Sequence, residues 1–385
     1  MPFPLNPEQA TLVVLWGGLV LGTALGGIAQ VSRFCTMGAL ADWFTYGGTD
    51  RLMVWAIAVL VAAVGSLALV GGGLLDATQT LAWSNKFLWL SNVVGGAIFG
   101  VGMVLASGCP QRNLIKLGSG SLKALVVLLV AAVVAQMTLR GVLAPVRVEL
   151  LDSAGLTLAH SQDLGSLLAK PLSMDAAALR WWVIAVVLAA TARWWWRPMR
   201  QLDKSQWLAG AAIGVLVVLA WGLTGFVGYL PEHPDTLEAV WLGTYSHRPE
   251  AFTFAAPLAH SLDLLTLWSD RNTVLSYGVV VCLGTVLGSA ALALLRREFR
   301  IESFRGTTDL VNHLVGGALM GFGAVTAMGC SIGQGLSGLS LQSAGAVVMV
   351  TGMTAGTWLA LRWQTGQLER NPAPALVGNA SDAPN

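Results

Sequence analysis

Two stretches of this chain carry an apolar, glycine-rich run into a Gly-Cys pair. Residues 95–109 read GGAIFGVGMVLASGC and residues 316–330 read GGALMGFGAVTAMGC. At that constant offset Gly95, Gly96, Gly100, Gly102, Gly108 and Cys109 all find identical partners. A neutral thiol is a weak donor and a soft, polarisable acceptor. Held in an apolar setting, it suits non-covalent contact with another soft atom, such as the terminal sulfur of a small anion. Transport past such a group requires weak binding, since the solute must leave as well as arrive.

After each cysteine the hydrophobicity collapses. PQRNLIKLGSGS follows Cys109 and SIGQGLSGLSLQS follows Cys330. Both stretches are too short and polar to span a bilayer, and both lie between apolar runs. They read as re-entrant half-helices packed within protein, because irregular backbone cannot face lipid. Pro110 suits a first helical turn. A half-helix start exposes unpaired N–H groups and a positive dipole end, which favour an anion. Candidate partners for oxyanion groups are these N–H groups with Ser331, Gln334 and Asn113. Arg33 and Arg112 are placed to attract an anion electrostatically. Cys35, in QVSRFCTMGAL, is the expected third thiol, following a helix in which Gly18, Gly22 and Gly26 are spaced for close packing.

The elements that must position these groups are membrane helices. Of 385 residues, 55% are hydrophobic and 11% charged, against roughly a quarter charged in soluble domains. Mean hydropathy is +0.66. Apolar runs long enough for a ~30 Å hydrocarbon core fall near 11–31, 52–73, 88–107, 122–142, 180–196, 207–229, 274–295, 311–329 and 342–362. The expectation is an all-α, polytopic membrane protein of about nine transmembrane helices, forming one domain over 1–385. Repeat halves fall near 11–142 and 207–362. Outer loops fall near 143–179 and 230–273, and a disordered tail near 366–385. With the N-terminus outside and the C-terminus cytoplasmic, 15 of the 22 basic residues face inward, as the positive-inside rule favours. The two Gly-Cys helices then run in opposite directions, making the repeat inverted. The shorter echo of LGTALG (21–26) in LGTVLG (283–288) reads as shared small-residue packing. Met1–Ala10 lacks Lys and Arg, so the first apolar run is expected to be retained rather than cleaved.

Other chemistry is disfavoured. No C-x-x-C pair occurs, and no cysteine sits with histidine at metal-ligand spacing, so no metal or cofactor is expected. The nucleotide-binding G-x-x-x-x-G-K-[ST] is absent. A net charge of +2 gives no footprint for nucleic acid. Cys282, within VVVCLG, reads as core. His313 reads as structural, and His160, His233, His247 and His260 form no recognisable site.

The strings SRFCTMGAL, SGCPQRNLIKLGSGSLKAL and MGCSIGQGLSGLS resemble the YeeE/YedE family of sulfur-transport membrane proteins, with the resemblance running from about residue 11 to 362. It implies a thiosulfate permease of the bacterial inner membrane, with nine helices, inverted symmetry and re-entrant cysteine segments. It also implies passage of the anion by successive S–H···S contacts with Cys35, Cys109 and Cys330, and no covalent step. A soluble sulfur-carrier partner, where one acts, would be a separate cytoplasmic protein. The alternatives are a permease for a selenium oxyanion or another sulfur compound, and a membrane thiol- or persulfide-transfer oxidoreductase. The absence of paired cysteines weighs against the last.

Overall fold

The computed structural model describes residues 6–232, 237–270 and 273–370. Its helices are α1 (Pro7–Ser32), α2 (Thr36–Tyr46), α3 (Asp50–Gly71), α4 (Trp89–Leu105), α5 (Pro110–Gly118), α6 (Leu122–Leu139) and the single turn α7 (Ala144–Val146). They continue with α8 (Leu164–Leu172), α9 (Ala176–Gln201), α10 (Lys204–Gly222), α11 (Ala255–Thr266), α12 (Tyr277–Leu295), α13 (Thr307–Thr326) and α14 (Ala344–Arg370). Sheet among the described residues is confined to two antiparallel pairs of two-residue strands, β1 (Lys86–Phe87) with β2 (Leu156–Thr157) and β3 (Tyr229–Leu230) with β4 (Val240–Trp241). The molecule is an all-α, multi-pass membrane protein.

Among the described residues, eight helical stretches are long and apolar enough to cross a membrane. The remaining apolar run of the sequence is α13, whose 20 residues begin TTDLVNH and so dilute its hydropathy. α9 is longer than the 180–196 run: Asp175 caps its start by accepting from the Ala178 N–H at 3.0 Å, and the helix continues through the Trp/Arg-rich stretch to Gln201. α14 continues through Gly366 to Arg370, so the first residues of the expected tail are helical, and the remainder of that tail lies outside the described residues.

Glycine sets the directions of the helices. A Cβ on Gly95 would lie 2.8 Å from the Gly323 carbonyl oxygen, and one on Gly102 would lie 2.8 Å from that of Gly316. Rising along α4 therefore means descending along α13, and the two run antiparallel. The repeat glycines pack on each other's partners. Gly96 and Gly100 abut Met349 and Met353 of α14, while their repeat equivalents Gly317 and Gly321 abut Val127 and Ala131 of α6. The LGTALG and LGTVLG segments are likewise one seam, with Gly22 on Val281, Gly26 on Thr285, and Gly284 and Gly288 on Leu19 and Thr23. Gly210 and Gly214 of α10 make the matching approach to Val54 and Ala58 of α3. Close backbone approach through small residues is how membrane helices associate without a hydrophobic drive between them.

The same contacts show what the Gly-Cys segments do. Adjacent residues Gly316 and Gly317 touch Gly102 near the end of α4 and Val127 near the start of α6. Those two points share one height in the bundle, so residues 106–121 leave and return without crossing it. Gly95 and Gly96 touch Gly323 of α13 and Met349 of α14 in the same way, and residues 327–343 make the equivalent excursion.

The loops outside the spans are anchored. Asp163 receives Arg180 Nε at 2.7 Å, and Arg180 also lies over the Trp83 ring. The neighbouring Gln162 carbonyl accepts from the Ala344 N–H at 3.0 Å, tying this loop to the start of α14. Burial works to raise the Asp163 pKa, but hydrogen bonds from Arg180, Ser161 and Ser166 hold it below the ordinary carboxylate range.

Candidate functional site

Three cysteines occupy one local motif. In each, a helix ends on a residue with left-handed backbone, Arg33 (φ 54), Ser107 (φ 53) or Met328 (φ 57). Two residues later comes Cys35, Cys109 or Cys330, and a short helical segment starts there. The N–H of Ala39, Asn113 or Gln334 then donates to the carbonyl of its cysteine at 2.9, 3.0 and 2.9 Å. Cys35 Sγ also accepts from the Gly38 N–H at 3.3 Å, and Cys330 Sγ from the Gly333 N–H at 3.4 Å. The thiols thus stand where helix starts present unpaired donors. Gly108 fits this turn at φ 155, where any side chain would be strained and would also press on Arg112 Cγ.

The three groups converge. Cys109 and Cys330 are fully buried, Cys35 is nearly so, and all are free thiols. Cys35 and Cys330 both lie within electrostatic range of Cys109. Ser331 brings its hydroxyl to the Cys109 thiol from the other segment, in a contact that falls short of hydrogen-bond geometry and leaves the oxygen without a partner. Cys282, buried on α12, packs in the core.

Around the thiols lie buried polar atoms that nothing among the described residues satisfies. Both carboxamide atoms of Gln111, Thr36 Oγ1, Trp55 Nε1 and Arg112 Nη1 have no hydrogen-bond partner. Orphaned buried polar atoms are rare and mark places where a ligand or water completes the site. The sequence places Gln111 beside Pro110 at the start of the half-helix, and its orphaned carboxamide adds it to the candidate site.

Asn113 and Gln334 lie beside the thiols in a different role from the one expected. Asn113 Nδ2 donates to the Gly108 and Cys109 carbonyls at 2.9 and 3.1 Å. Gln334 Nε2 donates to the Ala327 and Met328 carbonyls at 3.2 and 3.0 Å. Each amide spends both protons bracing the turn that carries a cysteine, leaving none for an oxyanion. Arg33 stands exposed at the end of α1. Arg112 is half-buried and lines a cavity.

Two cavities flank the thiols. One, of about 300 Å³, is lined by Asn92 near the start of α4 and by Met328, Gly329, Gly333 and Gln334 around Cys330. The other, of about 500 Å³, is lined by Ser107, Arg112, Asn113 and Lys116 around Cys109, with Lys123, Arg300 and Arg305 opposite Glu298, Glu302 and Asp309. Since Asn92 and Ser107 belong to the two ends of α4, the cavities open at opposite ends of the bundle. Lys116, which the sequence reading used only for topology, donates from Nζ to the Ser107 carbonyl at 2.5 Å. It lies one turn from Arg112 on the same face of α5.

A multi-pass helical bundle with a cavity at each end and buried, partly unsatisfied polar groups between them has the architecture of a membrane transport protein. The chain belongs to the sulphur transport family, whose model matches residues 31–359. It is similar to the thiosulfate transporter TsuA of Escherichia coli (strain K12), at 28% identity over 374 residues, covering 90% of this chain and 94% of that protein. It is also similar to the thiosulfate transporter TsuA of Spirochaeta thermophila, at 25% identity over 367 residues, covering 91% of this chain and all of that protein.

Proposed function

We propose that this protein is a thiosulfate permease of the bacterial inner membrane, with its N-terminus outside and its C-terminus cytoplasmic. The observation that carries the reading is the placement of Cys35, Cys109 and Cys330 as helix-start residues between two cavities at opposite ends of one bundle. The two halves are related as an inverted repeat, and residues 106–121 and 327–343 are its re-entrant segments. The antiparallel course of α4 and α13 supports this, as do the matched contacts of their glycines.

The anion has two ends, and the site offers two kinds of group. Its terminal sulfur accepts from thiols, which are soft and weakly donating. Its oxygens take helix-start N–H groups, the Gln111 carboxamide and the Ser331 hydroxyl. The thiols hand the sulfur on without forming a bond, so the chain acts as a permease rather than an enzyme. The cavity lined by Arg112, Lys116 and Lys123 faces the cytoplasm and receives the anion there. A separate cytoplasmic sulfur-carrier protein would collect it from that side.

Uptake of sulfur-labelled thiosulfate into liposomes holding the purified protein tests this, with unlabelled sulfate, sulfite and selenite as competitors. The reading requires saturable uptake suppressed by unlabelled thiosulfate and little affected by sulfate. Stronger suppression by selenite than by thiosulfate would move the assignment to a selenium oxyanion.

A further inference from the structure

The segment between α10 and α11 carries Glu250 into the wall of the cavity beside Cys330. Its backbone is fixed: the N–H donates to Thr224 Oγ1 at 3.1 Å, and the carbonyl accepts from the same hydroxyl at 2.6 Å. Its Oε1 accepts from the Ser246 hydroxyl, and from the Ser246 N–H at 3.3 Å. Two cations, Lys86 and Arg147, line the same cavity. Arg147 is turned to Asp152 at 3.9 Å, Lys86 is exposed, and Arg140 lies over the Tyr245 ring, which stacks on His260. Burial and the Arg140 charge push His260 down to about 4, so it is neutral at neutral pH. From α12 the Tyr277 hydroxyl, buried without a hydrogen-bond partner among the described residues, lies within electrostatic range of Glu250. Glu250 is thus the one acidic side chain on this cavity wall among the described residues. Burial raises its pKa against the opposing Ser246 donors.

An anion approaching Cys330 from this side occupies the same 300 Å³ as that carboxylate, because Met328, Gly329 and Gln334 line the cavity too. Like charges so confined favour protonation of one of them. We propose that Glu250 is a proton-binding site linked to anion occupancy of this cavity, so that the anion is accommodated together with a proton on the Glu250 carboxyl. Linkage is reciprocal: the proton raises anion affinity by the factor by which the anion raises proton affinity. Acid on this side therefore promotes passage. The inference rests on the permease reading and adds to it a pH-controlled step.

The test follows labelled thiosulfate uptake by the full-length protein in liposomes as the pH on this side is stepped from about 8 to about 6. Wild type should accelerate by up to about tenfold per pH unit across its midpoint. Glu250→Gln, close in shape and permanently neutral, should be flat with pH and at least as fast as acid-activated wild type. Ser246→Ala, which removes a donor to the charged form, should move the midpoint to higher pH. A flat wild-type profile, or a Glu250→Gln profile that keeps the wild-type pH dependence, overturns the proposal. Should Glu250→Gln fail to fold, the Ser246→Ala midpoint decides, and an unchanged or lowered one overturns it. Absence of wild-type uptake at every pH overturns the permease reading and this proposal with it. Uptake whose pH profile survives in Glu250→Gln overturns this proposal alone.

Discussion

Asn113 and Gln334 do the same work at two places in the bundle. Each is the fourth residue after a cysteine, and each donates two amide hydrogen bonds back to the turn that delivers that cysteine. The amides differ in length by one methylene, and the acceptors differ accordingly. Asn113 reaches the carbonyls of Gly108 and Cys109, whereas Gln334 reaches those of Ala327 and Met328.

This relationship predicts that Asn113→Ala and Gln334→Ala damage transport through geometry. Asn113→Ala leaves the Gly108 carbonyl without its donor, since the backbone N–H at that position still serves Cys109, and Gln334→Ala leaves those of Ala327 and Met328 without theirs, at about 1–3 kcal/mol per unsatisfied group. Thermal unfolding in detergent should show that loss for either variant, and uptake should fall at the same time. Asn113→Gln should not rescue uptake, because the longer side chain cannot meet the same two carbonyls.

Gln111 should behave in the opposite way. Its carboxamide is fully buried and both polar atoms are unpartnered. An apolar side chain of similar size relieves a desolvation cost, so Gln111→Leu should be neutral or stabilising in the same unfolding assay. Uptake should nonetheless fall by about tenfold or more, the equivalent of losing one good hydrogen bond to a charged group. A variant both more stable and fully active would remove Gln111 from the site.

The helix seam gives a steric prediction. In an isolated helix Gly→Ala gains about 1 kcal/mol of propensity. At Gly316 the added Cβ would lie 2.6 Å from the Ala106 backbone nitrogen and 2.7 Å from the Gly102 carbonyl oxygen. Backbone atoms cannot rotate away, and overpacking of this kind costs about 1–3 kcal/mol. The clash should win, so Gly316→Ala lowers the unfolding temperature. Gly366, with nothing within 4 Å of the position of a Cβ, should gain a little from the same change.

The loop anchor is pH-dependent with a defined sign. The Asp163 carboxyl is held below its ordinary range, so its contribution is fully present above the unfolded-state pKa near 3.8. It is lost as pH falls through the lower folded-state value. Asp163→Asn should cost about 3 kcal/mol near neutral pH, because it leaves Arg180 without its buried partner. The gap between wild type and variant should narrow as pH drops below about 4.

The membrane helices were legible because continuous apolar runs are the strongest signal a chain carries, and among the described residues eight of the nine runs are helices long and apolar enough to cross a membrane. The repeat was legible because glycine positions that set helix contacts cannot drift. The short helices α2 and α11 were not legible. At 11 and 12 residues they fall below any span length, and their burial comes from neighbours distant in sequence. Cys35 therefore read as a tail to the first helix, where the structure makes it the start of the second. The oxyanion role first given to Asn113 and Gln334 followed from residue type alone, since sequence shows a donor but not its acceptor. Glu250 lies in a loop that reads as external, and its burial appears only once residues 251–254 are seen packed into the core.

Rates of labelled thiosulfate uptake by Cys109→Ala, Cys330→Ala and the double variant, beside Cys282→Ala as the packing control, address the central claim. All four thiols are buried, so each protein is first checked for wild-type insertion and folding. The account predicts uptake reduced by about tenfold or more in either single variant, no larger loss in the double variant than in the worse single one, and a near wild-type rate for Cys282→Ala. Wild-type uptake by a correctly inserted double variant would contradict it.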